Sequence, residues 1–290
     1  MILESDWETF TIDHLAELGW APTTGSQTLA ERAGPDDLVL HDRFTQALRR
    51  LNPTVPDEYL GQVRADIMQL RSADAITENR RFHTWLVGGY RGLSYLGADG
   101  QDVTPTIRLL GSPAENDYLA VQQVRLEQGD HKRRFDIICY VNGLPLVIVE
   151  LKGAGAKANT ATAIAQLHTY LDEFPMAFRH CVLTVASNGL DARYGTPFTS
   201  DNHYSPWKVD EQGQPITDPG VLQLESLVYG LFDHDRFGDI ICNFVAFDEE
   251  DGALTKRVAK PHQYFAVRRA VDRTLDAVAS NGKAGVVWHT

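Results

Sequence analysis

The chain has 290 residues, a formal net charge of −12, 43% hydrophobic residues and three cysteines. It contains no run near the ~20 apolar residues that span a membrane and no basic-apolar leader, so we expect a cytoplasmic protein without membrane contact. The acidic balance argues against a protein that binds nucleic acid unaided, because neutralising phosphates requires clustered Lys and Arg.

The first third of the chain predicts helices. Residues 4–20 have apolar positions at helical spacing and end at Gly19, and Glu8 lies on this helix. Residues 21–35 are rich in Gly, Thr, Ser and Pro and predict a loop. Residues 36–70 predict two further helices, divided at Asn52-Pro53.

A strand is predicted over 119–127, where the apolar alternation shifts at Val124. A basic run, His131 to Arg134, follows. Lys132 and Arg134 are candidates for contacting phosphate, and a solvated hairpin turn is the equal alternative.

The stretch 134–152 predicts a β-hairpin, because two β-branched apolar runs meet at Asn142-Gly143. Asp136 lies in the first run, and Glu150 and Lys152 lie two apart in the second. A regular two-residue loop would pair Val141 with Leu144, set Asp136 opposite Val149 and turn it away from Glu150. An odd-numbered or bulged loop would pair Tyr140 with Leu144 and Asp136 with Ile148, which puts all three charges on one face. We predict the bulged or odd-numbered loop.

Three charges on one face of an apolar hairpin need compensation. Two carboxylates ~4 Å apart repel by roughly 4 kcal/mol at an effective dielectric near 20, so Asp136 and Glu150 would share a proton or bind a cation. Oxygen ligands suit Mg²⁺, and Lys152 could orient an attacking water or offset charge on a phosphate. A sheet edge with solvated charges is the structural alternative.

The remaining segments alternate between strands and helices. A helix over 159–174, with Asn159 or Thr160 as its cap, carries Gln166 and Tyr170 on one face, and residues 181–187 predict a core strand. This order predicts an α/β fold with a mixed β-sheet flanked by helices. Beyond it we expect an irregular segment over 193–219 and a helix over 222–232. A short strand over 240–247 and a charged break over 248–252 should follow. The cysteines predict buried thiols, at Cys139, Cys181 and Cys242.

Asp136 followed by Glu150-Leu151-Lys152 resembles the signature of the PD-(D/E)xK nucleases, and Gln166-x-x-x-Tyr170 extends the match. Together they resemble the nuclease domain of the motor (R) subunit of type I restriction-modification enzymes. The resemblance implies a Mg²⁺-dependent endodeoxyribonuclease with Asp136, Glu150 and the Leu151 carbonyl as metal ligands. It also implies that Gln166 and Tyr170 contact DNA near the scissile bond, and it makes Glu8 a further candidate acid, although a solvent-facing Glu8 is the commoner case.

The C-terminal segment predicts a helix from Pro261 and a strand over 285–290. In the motor subunits such a strand leads into a phosphate-binding loop, and no Gly-x-x-x-x-Gly-Lys-Ser/Thr follows it here. Gln263 resembles the glutamine that reads adenine, so ATP binding is expected of the full-length subunit only. We therefore predict an endonuclease domain at 1–250 and the truncated start of a RecA-like motor at 251–290.

The resemblance implies that the partners are DNA and the methyltransferase and specificity subunits of the restriction complex. Two alternatives stay open at this point. One is an autonomous metal-dependent nuclease, and the other is a non-catalytic interaction domain with the same fold.

Overall fold

A computed structural model describes residues 3–153, 155, 159–250, 252–280 and 282–285. In chain order, the helices and strands are α1 Glu4–Glu17, β1 Ala21–Thr24, α2 His41–Leu51, α3 Asp57–Met68, α4 Ala75–Gly88, β2 Tyr95–Leu96, β3 Asp102–Val103, β4 Tyr118–Gln128, β5 His131–Val141, β6 Leu144–Leu151, α5 Thr160–Glu173, β7 Leu183–Ser187, β8 Ala192–Gly195, α6 Gln223–Phe232, α7 His234–Asn243, β9 Val245–Glu250, β10 Ala253–Val258 and α8 Pro261–Ala279.

A six-stranded mixed sheet forms the centre of the fold, in the order β1-β4-β5-β6-β7-β8. The pairs β1–β4 and β6–β7 are parallel, and the others are antiparallel. One face packs against α5, and the other against α1, α2, α3, α6 and α7. The predicted mixed sheet flanked by helices is confirmed.

The β5–β6 turn differs from our prediction, because it is a regular two-residue turn. Val141 pairs with Leu144, and the two residues between them are left-handed, Asn142 with φ 55° and Gly143 with φ 77°. Two successive left-handed residues make the turn type that matches the right-handed twist of the strands. The predicted odd-numbered or bulged loop, with Tyr140 opposite Leu144, is therefore wrong.

A β-bulge inside β6 makes the register change that the turn does not. Tyr140 pairs with Pro145, but Cys139 pairs with Val147, so Leu146 is an extra residue. Beyond the bulge Ile137 pairs with Val149. Continued outward by one residue, this register places Asp136 opposite Glu150 rather than opposite Ile148.

The local patterns gave some elements correctly and missed others. Asn159 caps α5 as expected, since its side chain accepts a hydrogen bond from the Thr162 N–H. The loops predicted over 21–35 and 193–219 contain the short edge strand β1 and the end of β8. The strand predicted over 240–247 is wrong at its start, because α7 continues to Asn243. Cys242 is exposed, whereas Cys139 and Cys181 are buried as predicted.

Of the charged break predicted over 248–252, residues 248–250 instead belong to β9 of a second hairpin, β9–β10, which packs on α4. Lys256 of β10 is 3% exposed, and its Nζ donates to Asn79 Oδ1 at 2.8 Å and to the Cys181 carbonyl at 3.1 Å. Both partners are neutral, and burial lowers the pKa of Lys256 to about 7. This side chain therefore ties the hairpin to the nearby helix and strand.

Helix α8 follows the hairpin. Tyr264 is buried, and the apolar residues that follow it at helical spacing are exposed, at Val267, Val271, Leu275 and Val278. Of the strand predicted over 285–290, only residue 285 lies within the described residues. Among the helices that the structure describes, none is long and apolar enough to cross a membrane.

The backbone at Gly143 lies close to the start of α2, and Gly129 offers a matched control without such a contact. A Cβ at Gly143 would lie 2.5 Å from the Leu40 carbonyl and 2.7 Å from the Phe44 nitrogen, whereas Gly129 is also left-handed but has no atom within 4 Å. We expect Gly129→Ala to lower the free energy of unfolding by about 1–2 kcal/mol from backbone strain. Gly143→Ala should cost about 1–3 kcal/mol more from overpacking, and chemical denaturation measures both. Equal losses would contradict the close approach.

Lys256 predicts a pH dependence of stability. Its pKa is lower in the folded chain than in the unfolded one, so between about pH 7 and 10.5 the unfolded chain binds more protons. The free energy of unfolding should therefore rise with pH in this window, by up to roughly 4 kcal/mol, relative to Lys256→Met. Denaturation of both proteins at pH 7 and 9.5 tests this. A difference that does not change with pH would contradict it.

Candidate active site

The candidate site lies where β5 and β6 separate. Ile137 and Val149 are the last residues that pair β5 with β6, and Asp136 and Glu150 follow outward from them. The Asp136 carboxylate accepts the Leu151 N–H through Oδ2 at 2.7 Å. The structure thus brings the two predicted acids together at a fork in the sheet, where both are buried.

Lys152 lies against this pair. Its Nζ donates to Glu150 Oε1 at 2.5 Å and to the Leu151 carbonyl at 2.9 Å. The second Glu150 oxygen, Oε2, is buried without a hydrogen-bond donor among the described residues. Glu150 therefore offers an unused acceptor, while the Leu151 carbonyl predicted as a metal ligand is occupied by Lys152.

Helix α1 brings two more acids to Asp136. Glu4 and Glu8 lie one turn apart, and one oxygen from each lies within 4.8 Å of the other and of an Asp136 oxygen. Glu8 is 4% exposed, so the solvent-facing alternative for this residue does not hold. Glu4 also lies 3.6 Å from Lys152 Nζ. Such a group of carboxylate oxygens could hold a hard divalent cation.

The clustering changes the acidity of both central carboxyls. Burial, and after it the negative charges of Glu4 and Glu8, raises the pKa of Asp136. The hydrogen bond from the Leu151 N–H and the charge of Lys152 lower this pKa but do not outweigh the burial. Burial and the charge of Asp136 raise the pKa of Glu150 against the opposing Lys152. Both acids favour a proton or a cation at this site.

Lys152 has the opposite balance. Its burial disfavours the ammonium, but the carboxylates of Glu150, Glu4 and Asp136 outweigh this and raise the pKa of Lys152. The side chain therefore stays positively charged beside the acids.

The glutamine and tyrosine of α5 reach the same region. Gln166 Nε2 donates to the Tyr170 hydroxyl, and Tyr170 packs edge-on against Phe135 of β5 with ring centroids 4.9 Å apart. Burial, with the charges of Glu150 and Asp136 adding to it, raises the pKa of Tyr170. The hydroxyl remains a neutral donor close to the two acids.

The other predicted contacts lie farther out. Arg134 is exposed on β5, and the structure gives its side chain no hydrogen bond or ion pair among the described residues. Lys132 is paired with Glu127 at 2.8 Å. Gln263 is exposed at the start of α8, where its Oε1 accepts the Lys260 N–H at 2.8 Å. Their roles in binding phosphate or adenine stay predictions.

Our sequence analysis missed two residues of the site, Glu4 and Gln123. Glu4 could have been found, because it lies four residues before Glu8 and so shares its helix face. Gln123 Nε2 donates to Glu8 Oε2 at 3.0 Å. The shift of alternation at Val124 marked the irregular strand that carries Gln123, but not its contact with α1.

The chain is similar to known proteins over most of its length. The family model for the type I restriction enzyme R protein N terminus matches residues 1–203. The HindI endonuclease subunit of Haemophilus influenzae is 31% identical across all of this chain and 28% of that protein. A putative MjaIXP endonuclease subunit of Methanocaldococcus jannaschii is 24% identical over 97% of this chain and 29% of that protein. The EcoprrI endonuclease subunit of Escherichia coli is 27% identical over 56% of this chain and 52% of that protein.

The chain thus spans less than a third of the first two relatives. The matched residues 1–203 contain Asp136, Glu150 and Lys152 and also Glu4 and Glu8 of α1. By this match, the chain belongs to the family of type I restriction enzyme R protein N termini.

Proposed function

We propose that this chain is the Mg²⁺-dependent endonuclease domain of a type I restriction enzyme R subunit and that it hydrolyses phosphodiester bonds of DNA. The observation that carries the proposal is the meeting of Asp136, Glu150 and Lys152 at the strand fork, with Glu4 and Glu8 beside them. The relatives named above are also endonuclease subunits of type I restriction enzymes, one of them putatively assigned.

The donor set fits a magnesium ion. It consists of carboxylate oxygens, which Mg²⁺ prefers, and few protein ligands are needed because the ion keeps several waters. The unpartnered Oε2 of Glu150 and the three-acid group around Asp136 supply carboxylate oxygens whose negative charge Lys152 offsets only in part. We assign Asp136 and Glu150 as the principal ligands and Glu8 as the additional acid.

When bound, Mg²⁺ polarises a phosphodiester and lowers the pKa of a coordinated water. Lys152 holds an ammonium beside this position, where it orients the attacking water and offsets negative charge on the phosphate. Tyr170, fixed by Gln166, presents a neutral hydroxyl that can donate to a phosphate oxygen. Arg134 supplies an exposed guanidinium for a neighbouring phosphate.

Other parts of the enzyme hold and move the DNA in this proposal. A net charge of −12 gives the chain little electrostatic attraction for phosphates. We therefore place DNA recognition on specificity and methyltransferase subunits, and ATP-driven translocation on the part of the R subunit beyond this chain. Gln263 would contact adenine only in the full-length subunit.

The site residues can be tested in the assembled restriction complex. Asp136→Ala and Lys152→Ala should each lower DNA cleavage by about 10²-fold or more, because one removes a metal ligand and the other the ammonium. Complex formation should be unchanged. Lys208→Ala removes an exposed lysine from another part of the chain and serves as the control.

Cleavage that persists in Asp136→Ala would overturn the site assignment. Plasmid cleavage by this chain with Mg²⁺, but without ATP or other subunits, would instead support the autonomous nuclease. If the complex assembles normally and cleaves DNA equally well with the wild-type, Asp136→Ala and Lys152→Ala chains, the result would support the interaction domain.

The crowded carboxylates also predict a stability effect. At pH 8 with a chelator present, Asp136→Asn should raise the free energy of unfolding by about 1–3 kcal/mol. Its amide oxygen can still accept the Leu151 N–H, and the repulsion with Glu4, Glu8 and Glu150 is removed. Adding Mg²⁺ should stabilise the wild type and leave Asp136→Asn unchanged. Thermal unfolding measures both, and a less stable Asp136→Asn would contradict the account.

A further inference from the structure

Gln123 has an unusual backbone for the middle of a strand. Its φ is 55°, and among the described non-glycine residues only Asn142 shares such a value. Asn142 lies in a tight turn that requires it, whereas Gln123 lies between paired residues of β4, Gln122 and Val124. A left-handed residue other than Gly costs roughly 1–2 kcal/mol. Its surroundings must therefore hold it there.

The segment at Gly25, just after β1, packs closely against this distorted part of β4. The Gly25 N–H donates to the Gln122 carbonyl at 2.7 Å. A Cβ at Gly25 would lie 2.6 Å from the Gln123 carbonyl and 2.8 Å from the Val124 Cα. Only a residue without a side chain allows the backbones to approach this closely. The left-handed residue is thus built into the packing of β1 against β4.

The distortion also changes which face of the sheet the side chains occupy. Before it, Val121 packs with the α5 core and its partner is Ile138, while Gln122 pairs with Ile137 of the opposite core. After it, Val124 and its partner Phe135 both return to the α5 core. The residue of β5 that lies at this change of face is Asp136.

The side chain of Gln123 then reaches the acid of α1. Its amide donates to Glu8 Oε2 at 3.0 Å, and Glu8 is one of the three acids grouped around Asp136. An amide donor fixes a carboxylate without neutralising it, whereas Lys or Arg would cancel the charge that attracts a cation. This is the chemistry that a metal ligand needs from its neighbour.

We propose that Gln123 is a positioning residue, whose left-handed backbone directs its amide to Glu8 and so holds the Glu8 carboxylate beside Asp136 as a ligand for a divalent cation. This inference rests on the proposed function. It adds a specific role for Gln123 and explains why strain is retained in β4.

The test separates positioning from folding. Gln123→Gly removes the amide and also relieves the left-handed strain, so its melting temperature should equal or exceed that of the wild type. Its Kd for Mn²⁺, measured by isothermal titration calorimetry, should rise by about 10–100-fold. Gln123→Asn keeps an amide and tolerates the left-handed backbone. Its Kd for Mn²⁺ should therefore lie between that of the wild type and that of Gln123→Gly. Gln122→Ala truncates the adjacent glutamine and should leave the Kd unchanged.

Each alternative result is decisive. If the wild type binds Mn²⁺ and Gln123→Gly binds it equally well, the positioning role is overturned and the proposed function stands. A loss of binding in Gln123→Gly that is matched by a lower melting temperature assigns a structural role and also overturns it. If the wild type binds no Mn²⁺, the proposed metal site itself fails, and the role of Gln123 with it.

Discussion

Repulsion between buried carboxylates is the constraint around which this fold is arranged. Asp136 and Glu150 are desolvated together, and α1 adds two more acids to them. Two unit charges 4 Å apart at an effective dielectric near 20 cost about 4 kcal/mol. The protein offsets part of this with the Leu151 N–H and the ammonium of Lys152. The repulsion that remains would be relieved by a divalent cation. The same carboxylates that lower the stability of the chain therefore favour cation binding.

The site depends on three departures from a regular sheet. The bulge at Leu146 aligns Asp136 with Glu150, β5 and β6 separate from each other at these two residues, and the left-handed Gln123 reaches Glu8. A straight hairpin with the same two-residue turn would have pointed Asp136 away from Glu150. Bulges and strained residues commonly re-aim side chains next to active sites.

Local patterns predicted much of this arrangement. The convergence of Asp136 with Glu150 was predicted from their charges, through a loop register that is wrong. The hairpin at Asn142-Gly143 and the cap at Asn159 follow from short-range spacing. The position of the bulge does not, because residues 144–149 are all apolar and their alternation gives no register. Contacts between α1 and β4 join residues more than a hundred positions apart, so Gln123 could not be placed from spacing alone. Short apolar runs are also ambiguous, which is why the end of α7 was predicted to be the start of a strand.

The most direct test of the account is to locate the cation. Anomalous diffraction from crystals of this chain soaked in Mn²⁺ should show a peak within coordination distance, about 2.0–2.3 Å, of carboxylate oxygens of Asp136 and Glu150, with Lys152 close by. A fully occupied Mn²⁺ site elsewhere and no density at the fork would contradict the central claim.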